Sequence, residues 1–166
     1  MKKNSNAMFI AHAAIIATLY VILTLIANAL GLANYAIQVR FSEALTILPY
    51  FTPAAIPGLF VGCILSNTLT GCVPLDTLFG SLATLLGAIF TYKLRKWKFL
   101  TPLPPIFFNM LFVPPVLAYI YKFEGTLYYF IITVGIGEVI SCGVLGIMLL
   151  LILEKYKSVL FPKYTP

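Results

Sequence analysis

Charge is what this chain has least of. Only five of its 166 residues are acidic, and charged residues of both signs make up 10%. A soluble domain carries roughly a quarter. With 61% hydrophobic residues and a mean hydropathy of +0.99, the composition belongs to the lipid bilayer. Other absences narrow the chemistry. There is no GxxxxGK[ST] stretch, hence no nucleotide-driven motor, and no HExxH or GxSxG. The single histidine, His12, has no Cys or carboxylate near it in sequence. Cys63, Cys72 and Cys142 form no CxxC pair and no metal-ligand spacing. They read as small packing residues, so neither metal nor cofactor is expected. Repeats, linkers and low-complexity stretches are missing, which leaves one integral-membrane domain over residues 1–166. The net charge of +6 does not indicate nucleic acid, because the basic residues cluster at the ends of apolar segments, as bilayer anchors do.

The apolar segments come next. Residues 7–30, 74–95, 102–121 and 127–153 are each long enough to span roughly 30 Å of hydrocarbon. The first follows a basic start and could pass for a signal peptide. Its apolar run exceeds the ~7–15 residues of a signal core, so it reads as a retained transmembrane helix. Residues 41–71 are interrupted by Pro49, Pro53 and Pro57, and proline removes a donor and breaks or kinks a helix. They form either one kinked span or two short ones. The lysines and arginines decide. Positive residues mark the cytoplasmic side, and only two spans, 41–52 and 56–71, put Lys2, Lys3, the 93–98 cluster, Lys155, Lys157 and Lys163 on one side. The expectation is therefore an all-α membrane protein, a bundle of six transmembrane helices with both termini cytoplasmic. Short, Pro-interrupted segments often line a cavity, where irregular backbone finds partners.

The few polar residues then fall into a pattern. Glu124 sits in an outer loop and Glu154 at the inner end of the last span, both solvated positions. Glu43 and Asp76 begin the second and fourth spans at their outer ends, and Arg40 lies one helical turn before Glu43. Glu138 lies about eleven residues into the last span, ~16 Å deep, with Asn109 at similar depth and Asn67 in the outer half of the third span. A carboxylate in the membrane needs a polar partner or a watery cavity, and Glu138 has no partner evident in its own stretch. One polar pocket, open to the outside and reaching half-way in, accounts for all six residues. The blander readings are a local Arg40–Glu43 ion pair at the water interface and Asp76 as a helix N-terminal residue. Three small-xxx-small pairs, Ala13–Ala17, Gly58–Gly62 and Ala83–Gly87, permit close helix packing, within the chain or against a partner.

Four stretches carry a likeness to a known family: "IQVRFSEALTILPYFTPAAIPGLFVGCILSN", "DTLFGSLATLLGA", the Asn of "PPIFFNM", and "GIGE" at 135–138. They resemble the queuosine-precursor transporter (QueT) family, S components of energy-coupling factor (ECF) transporters, from about residue 13 to 153. The lead-in "TGCVPL" to Asp76 departs from the pattern. The resemblance implies no enzyme but a binder that captures a queuosine precursor, a deazaguanine base or queuine, from outside. It also implies partners: a transmembrane coupling subunit and two ATPase subunits, with a small-residue pair on the first span, here Ala13 and Ala17, making the contact. Glu138, and after it Glu43, would accept from the N–H and exocyclic amine of the base. Asn109 or Arg40 would donate to its carbonyl, and Phe41, Phe79 and Phe108 are candidate walls. Rival readings are an S component for another vitamin-like solute, a small intramembrane enzyme or assembly partner, and a carrier working without ATPases.

Overall fold

The computed structural model describes residues 2–32 and 38–161, with side chains from residue 6 onward. Lys2, Lys3 and Lys163, on which part of the sidedness reading rests, lie outside the described side chains. Every regular element among the described residues is helical. Helix α1 (Lys2–Ala29) is followed by a 3₁₀ helix at Phe41–Tyr50, then α2 (Ala55–Leu69) and α3 (Pro74–Lys93). Helix α4 (Leu103–Pro115) widens into a π turn at Val116–Ile120. The last long helix runs as α5 (Leu127–Glu138), a π segment at Val139–Leu145, and α6 (Gly146–Lys155), before the short α7 (Lys157–Leu160). Four stretches are long and apolar enough to cross a membrane: Asn6–Ala29, Pro74–Lys93, Lys98–Ile120 and Leu127–Lys155. Ala55–Leu69 is a shorter apolar helix.

Proline explains the interruptions. Pro49 closes the 3₁₀ helix, Pro53 sits in the turn after it, and Pro57 falls in the first turn of α2, where its missing N–H leaves nothing unpaired. Pro74 opens α3 in the same way. Pro114 and Pro115 remove two ladder donors where α4 opens into its π turn. Gly71, at φ 76°, takes the left-handed conformation that ends α2. Thr126 caps α5, its hydroxyl accepting from the Tyr129 N–H at 3.2 Å.

The 3₁₀ helix is the centre of the bundle. A 3₁₀ helix rises about 2.0 Å per residue, so these ten residues reach about 20 Å. Ser42, Glu43, Leu45, Thr46, Ile47, Leu48 and Pro49 are all buried. Ile47 and Leu48 pack among Ile16, Tyr20, Leu59 and Leu150.

Side-chain contacts define two ends. At one, the Phe161 ring stacks on Phe51 at 5.3 Å and meets His12 edge-on at 6.1 Å. Lys98 pairs with Glu154 at 2.8 Å, which corrects the reading of Glu154 as simply solvated. At the other end, Asn28, Arg40, Thr70, Asp76, Tyr121 and Tyr129 surround a common cavity. The six apolar segments therefore run alternately from end to end.

Small residues set the helix spacing. A Cβ on Gly58 would lie 2.7 Å from the Ala13 carbonyl oxygen, and one on Gly62 3.0 Å from that of Ala17. Ala13 and Ala17 are thus packed against α2 of their own chain. The pair therefore makes a close helix contact within the chain, while Ala13 stays partly exposed. Gly87 gives α4 the same close approach, its would-be Cβ 2.9 Å from Pro105 Cα.

Candidate functional site

The cavity at the second end has a volume of about 670 Å³, within the ~300–1,000 Å³ usual for small-molecule sites. Helix α1 contributes Thr24 and Asn28, α2 contributes Asn67 with Thr70 just past its end, and α3 contributes Asp76. Aromatic walls come from Tyr121, Phe123, Tyr129 and Phe130. Below it lies a recess of about 20 Å³, bordered by Glu43, Cys63, Asn109 and Glu138. Gln38, Arg40, Asp76 and Val113 line both spaces. They form the neck between an open mouth and a carboxylate floor.

The floor is one hydrogen-bonded cluster drawn from five elements. The Tyr20 hydroxyl, on α1, donates to Glu43 Oε1. Asn109 Nδ2, on α4, donates to Glu43 Oε2 at 3.5 Å. Cys142 Sγ, on the π segment, donates to Glu138 Oε2 at 3.2 Å and lies 4.0 Å from Glu43 Oε2. Thr46 Oγ1 reaches the same sulfur at 3.5 Å. Glu43 is 2% exposed, Asn109 5% and Glu138 9%. Buried polar groups persist in such surroundings only when paired, and here each has a partner.

Glu43, Glu138 and Cys142 bring one donor atom apiece within 4.8 Å of one another, and no other set among the described residues comes as close to sharing an ion. Each of the three is engaged in hydrogen bonds within the protein. A soft thiol with two hard carboxylates is also a mixed donor set, so the arrangement reads as a hydrogen-bond network.

The neck is fixed by the backbone. A Cβ on Gly137 would fall 2.1 Å from the Gln38 carbonyl oxygen, so only glycine lets the segment 38–40 lie against α5. The Arg40 N–H donates to Ser141 Oγ at 3.1 Å on the same long helix. The Arg40 side chain reaches Gln38 Oε1 at 3.4 Å. At the rim, Tyr121 donates to Asp76 Oδ2 at 2.9 Å and accepts from the Val73 N–H at 3.2 Å. Asn67 Nδ2 reaches Cys63 Sγ at 3.6 Å.

All six polar residues singled out in the sequence border these two spaces. Glu43, Asn109 and Glu138 form the floor, Arg40 and Asp76 the neck, and Asn67 the outer wall. Several details differ from the sequence reading. Glu43 is not a rim residue, because the 3₁₀ helix carrying it is buried almost throughout. Arg40 makes no ion pair with Glu43; among the described residues the one ion pair is Lys98–Glu154. Glu138 does have a local partner: Cys142, four residues on, which makes that cysteine more than a packing residue. Phe41, Phe79 and Phe108 line neither space. Phe79 stacks with Phe112 at 6.3 Å and Phe108 packs on Phe90 at 5.4 Å. Glu124 borders the mouth.

Tyr20, Thr24, Gln38, Tyr121 and Cys142 were missed. The i,i+4 spacing of Glu138 and Cys142 was the one available signal.

Comparison with known proteins adds the family. The family model described as "QueT transporter" matches residues 10–155. The chain is similar to the queuosine precursor transporter QueT of Lactococcus lactis subsp. cremoris (strain MG1363), 36% identical over 83 residues. That alignment covers 50% of this chain and 48% of the relative, so the chain spans about half the length of the curated relative it matches. No solved structure matches. The family is one of transporters rather than enzymes, in keeping with four long apolar helices and a multi-pass membrane protein. The chain belongs to the QueT transporter family.

Proposed function

We propose that the chain is the substrate-binding S component of an ECF-type uptake transporter, and that it captures a queuosine precursor, a deazaguanine base or queuine, from outside. One observation carries this reading: a carboxylate and amide floor, Glu43, Asn109 and Glu138, under an open cavity of about 670 Å³ in an otherwise apolar helical protein. A deazaguanine presents an N–H beside an exocyclic amine, which a carboxylate accepts as a bidentate pair. Glu138 takes that role, with Glu43 beside it. Arg40 or Asn109 donates to the carbonyl, and Tyr121 and Phe130 flank the ring. Asp76 and Asn67 complete the wall.

The alternating course of six apolar segments supports six membrane crossings within a single domain. It puts the 93–98 basic cluster and Lys155 at the end opposite the cavity. By the positive-inside rule the cavity then opens outward, with both chain termini cytoplasmic. Solute would pass to a transmembrane coupling subunit driven by two ATPase subunits. That contact falls to α1, around the Ala13–Ala17 pair, where Ala13 is partly exposed and Ile15, Leu19 and Ile22 point outward.

Glu138→Gln tests the reading. A charge-assisted hydrogen bond contributes about 1.5–3 kcal/mol, so affinity for a deazaguanine base, measured by calorimetry, should fall on the order of ten- to a hundredfold. Unchanged affinity would remove Glu138 from the site.

A further inference from the structure

We infer that Tyr20 is a positioning residue for solute binding: its phenol anchors Glu43 Oε1 and turns Oε2 toward the recess. The inference rests on the proposed solute site. Tyr20 belongs to the first helix, borders neither cavity, and is 1% exposed.

The two oxygens of Glu43 are treated differently. Oε1 is held by the Tyr20 hydroxyl in a close hydrogen bond. Oε2 has only Asn109 Nδ2 at 3.5 Å and the Cys142 sulfur at 4.0 Å. Good N–H···O bonds cluster near 2.9–3.0 Å, and an ionised carboxylate offers about four lone-pair sites. Oε2 therefore keeps acceptor capacity on the side where Asn109 and Glu138 border the recess. A solute N–H can use it without displacing the phenol.

Packing fixes the phenol. A Cβ on Gly62 would lie 2.8 Å from Tyr20 Cβ, so α2 presses directly on the root of the side chain. One turn further along α1, Thr24 Oγ1 donates to Ser42 Oγ at 2.8 Å. Helix α1 thus grips the 3₁₀ helix at two successive turns, at Glu43 itself and at Ser42 beside it. Without the phenol, Glu43 loses its one short bond and is free to rotate into the recess or toward Cys142.

A double-mutant cycle tests this. Solute affinity is measured by calorimetry, with queuine and an aminomethyl deazaguanine as probes, for Tyr20→Phe, Glu43→Gln and the combination. Positioning predicts that Tyr20→Phe lowers affinity about five- to tenfold in the native background and less than twofold in the Glu43→Gln background. A purely structural role predicts the same loss in both backgrounds, and that result, or no loss at all, overturns the inference. Should Tyr20→Phe fail to fold, meta-fluorotyrosine at position 20 keeps the size and strengthens the donor. Affinity should then change with Glu43 present and not with Glu43→Gln; equal effects in both overturn the inference. If neither probe binds the native protein, the solute reading fails. If both bind and only the cycle is additive, the role of Tyr20 fails alone.

Discussion

Gly137→Ala should loosen the neck of the site, and Gly135→Ala should not. The two glycines sit two residues apart on α5, and each alanine gains the same helix propensity, roughly 0.8–1 kcal/mol. Their surroundings differ. At Gly135 the new methyl meets Met110 Cε at 3.0 Å and Sδ at 3.1 Å, the free end of a flexible side chain. At Gly137 it meets the Gln38 carbonyl oxygen at 2.1 Å and its carbon at 3.1 Å, which is backbone and cannot rotate away. Ordinary contact begins at 3.4 Å, so about 1.3 Å has to be made up by lifting the segment 38–40. A shift of that size stretches the 3.1 Å bond from the Arg40 N–H to Ser141 Oγ beyond hydrogen-bond range. Overpacking costs about 1–3 kcal/mol and the lost bond about 1 kcal/mol, partly offset by propensity. The net expectation is a loss of about 1–3 kcal/mol for Gly137→Ala and none for Gly135→Ala. Thermal melting in detergent reads the stability, and calorimetry reads the solute affinity, which should fall at least severalfold as Arg40 moves. If the two variants melt and bind alike, the glycine contact does not hold the neck.

Two other outcomes follow from the packing and the mouth. Gly62→Val should lower the melting temperature by several degrees and weaken solute binding with it, because its Cβ alone already falls 2.8 Å from Tyr20 Cβ; a variant as stable as the native protein would show that α1 and α2 are not in that contact. Glu124→Cys, in a background where Cys72 alone is replaced because Cys63 and Cys142 are buried, should react with a membrane-impermeant maleimide added from outside, more slowly when solute is bound; labelling only from the cytoplasmic side would reverse the proposed orientation.

How much of this was legible depended on range. The long apolar segments declared their helices by length alone, and the basic residues carried the argument that residues 41–71 form two pieces. The polar floor was legible because Glu43, Asn109 and Glu138 have so little competition in a chain with five acids. The depth of Glu43 was not, because nothing local says that residues 41–50 wind as a 3₁₀ helix and sink whole into the bundle. Tyr20 was hidden for a related reason: a tyrosine in an apolar helix serves equally as a core residue or an interfacial anchor, and only the fold brings it to a carboxylate twenty-three positions away. The Ala13–Ala17 pair states that a helix comes close without naming which one. The aromatic walls were not legible, because nothing local ranks thirteen phenylalanines and ten tyrosines as cavity walls, whereas the fold lines the mouth with Tyr121, Phe123, Tyr129 and Phe130.

The scattered origin of the floor bears on how the protein is made. Tyr20 and Glu43 leave the ribosome early and can meet as soon as the first segments are in the bilayer. Asn109 arrives much later, and Glu138 and Cys142 almost at the end. Until then Glu43 holds a single hydrogen bond at a depth where an unsatisfied carboxylate is costly, and the segment 38–40 has no Gly137 to lie against. A chain halted before α5 therefore has helices but no finished neck or floor. The last long helix thus completes both the neck and the floor, and halves expressed from separate messages should accumulate only when both are present in the same membrane.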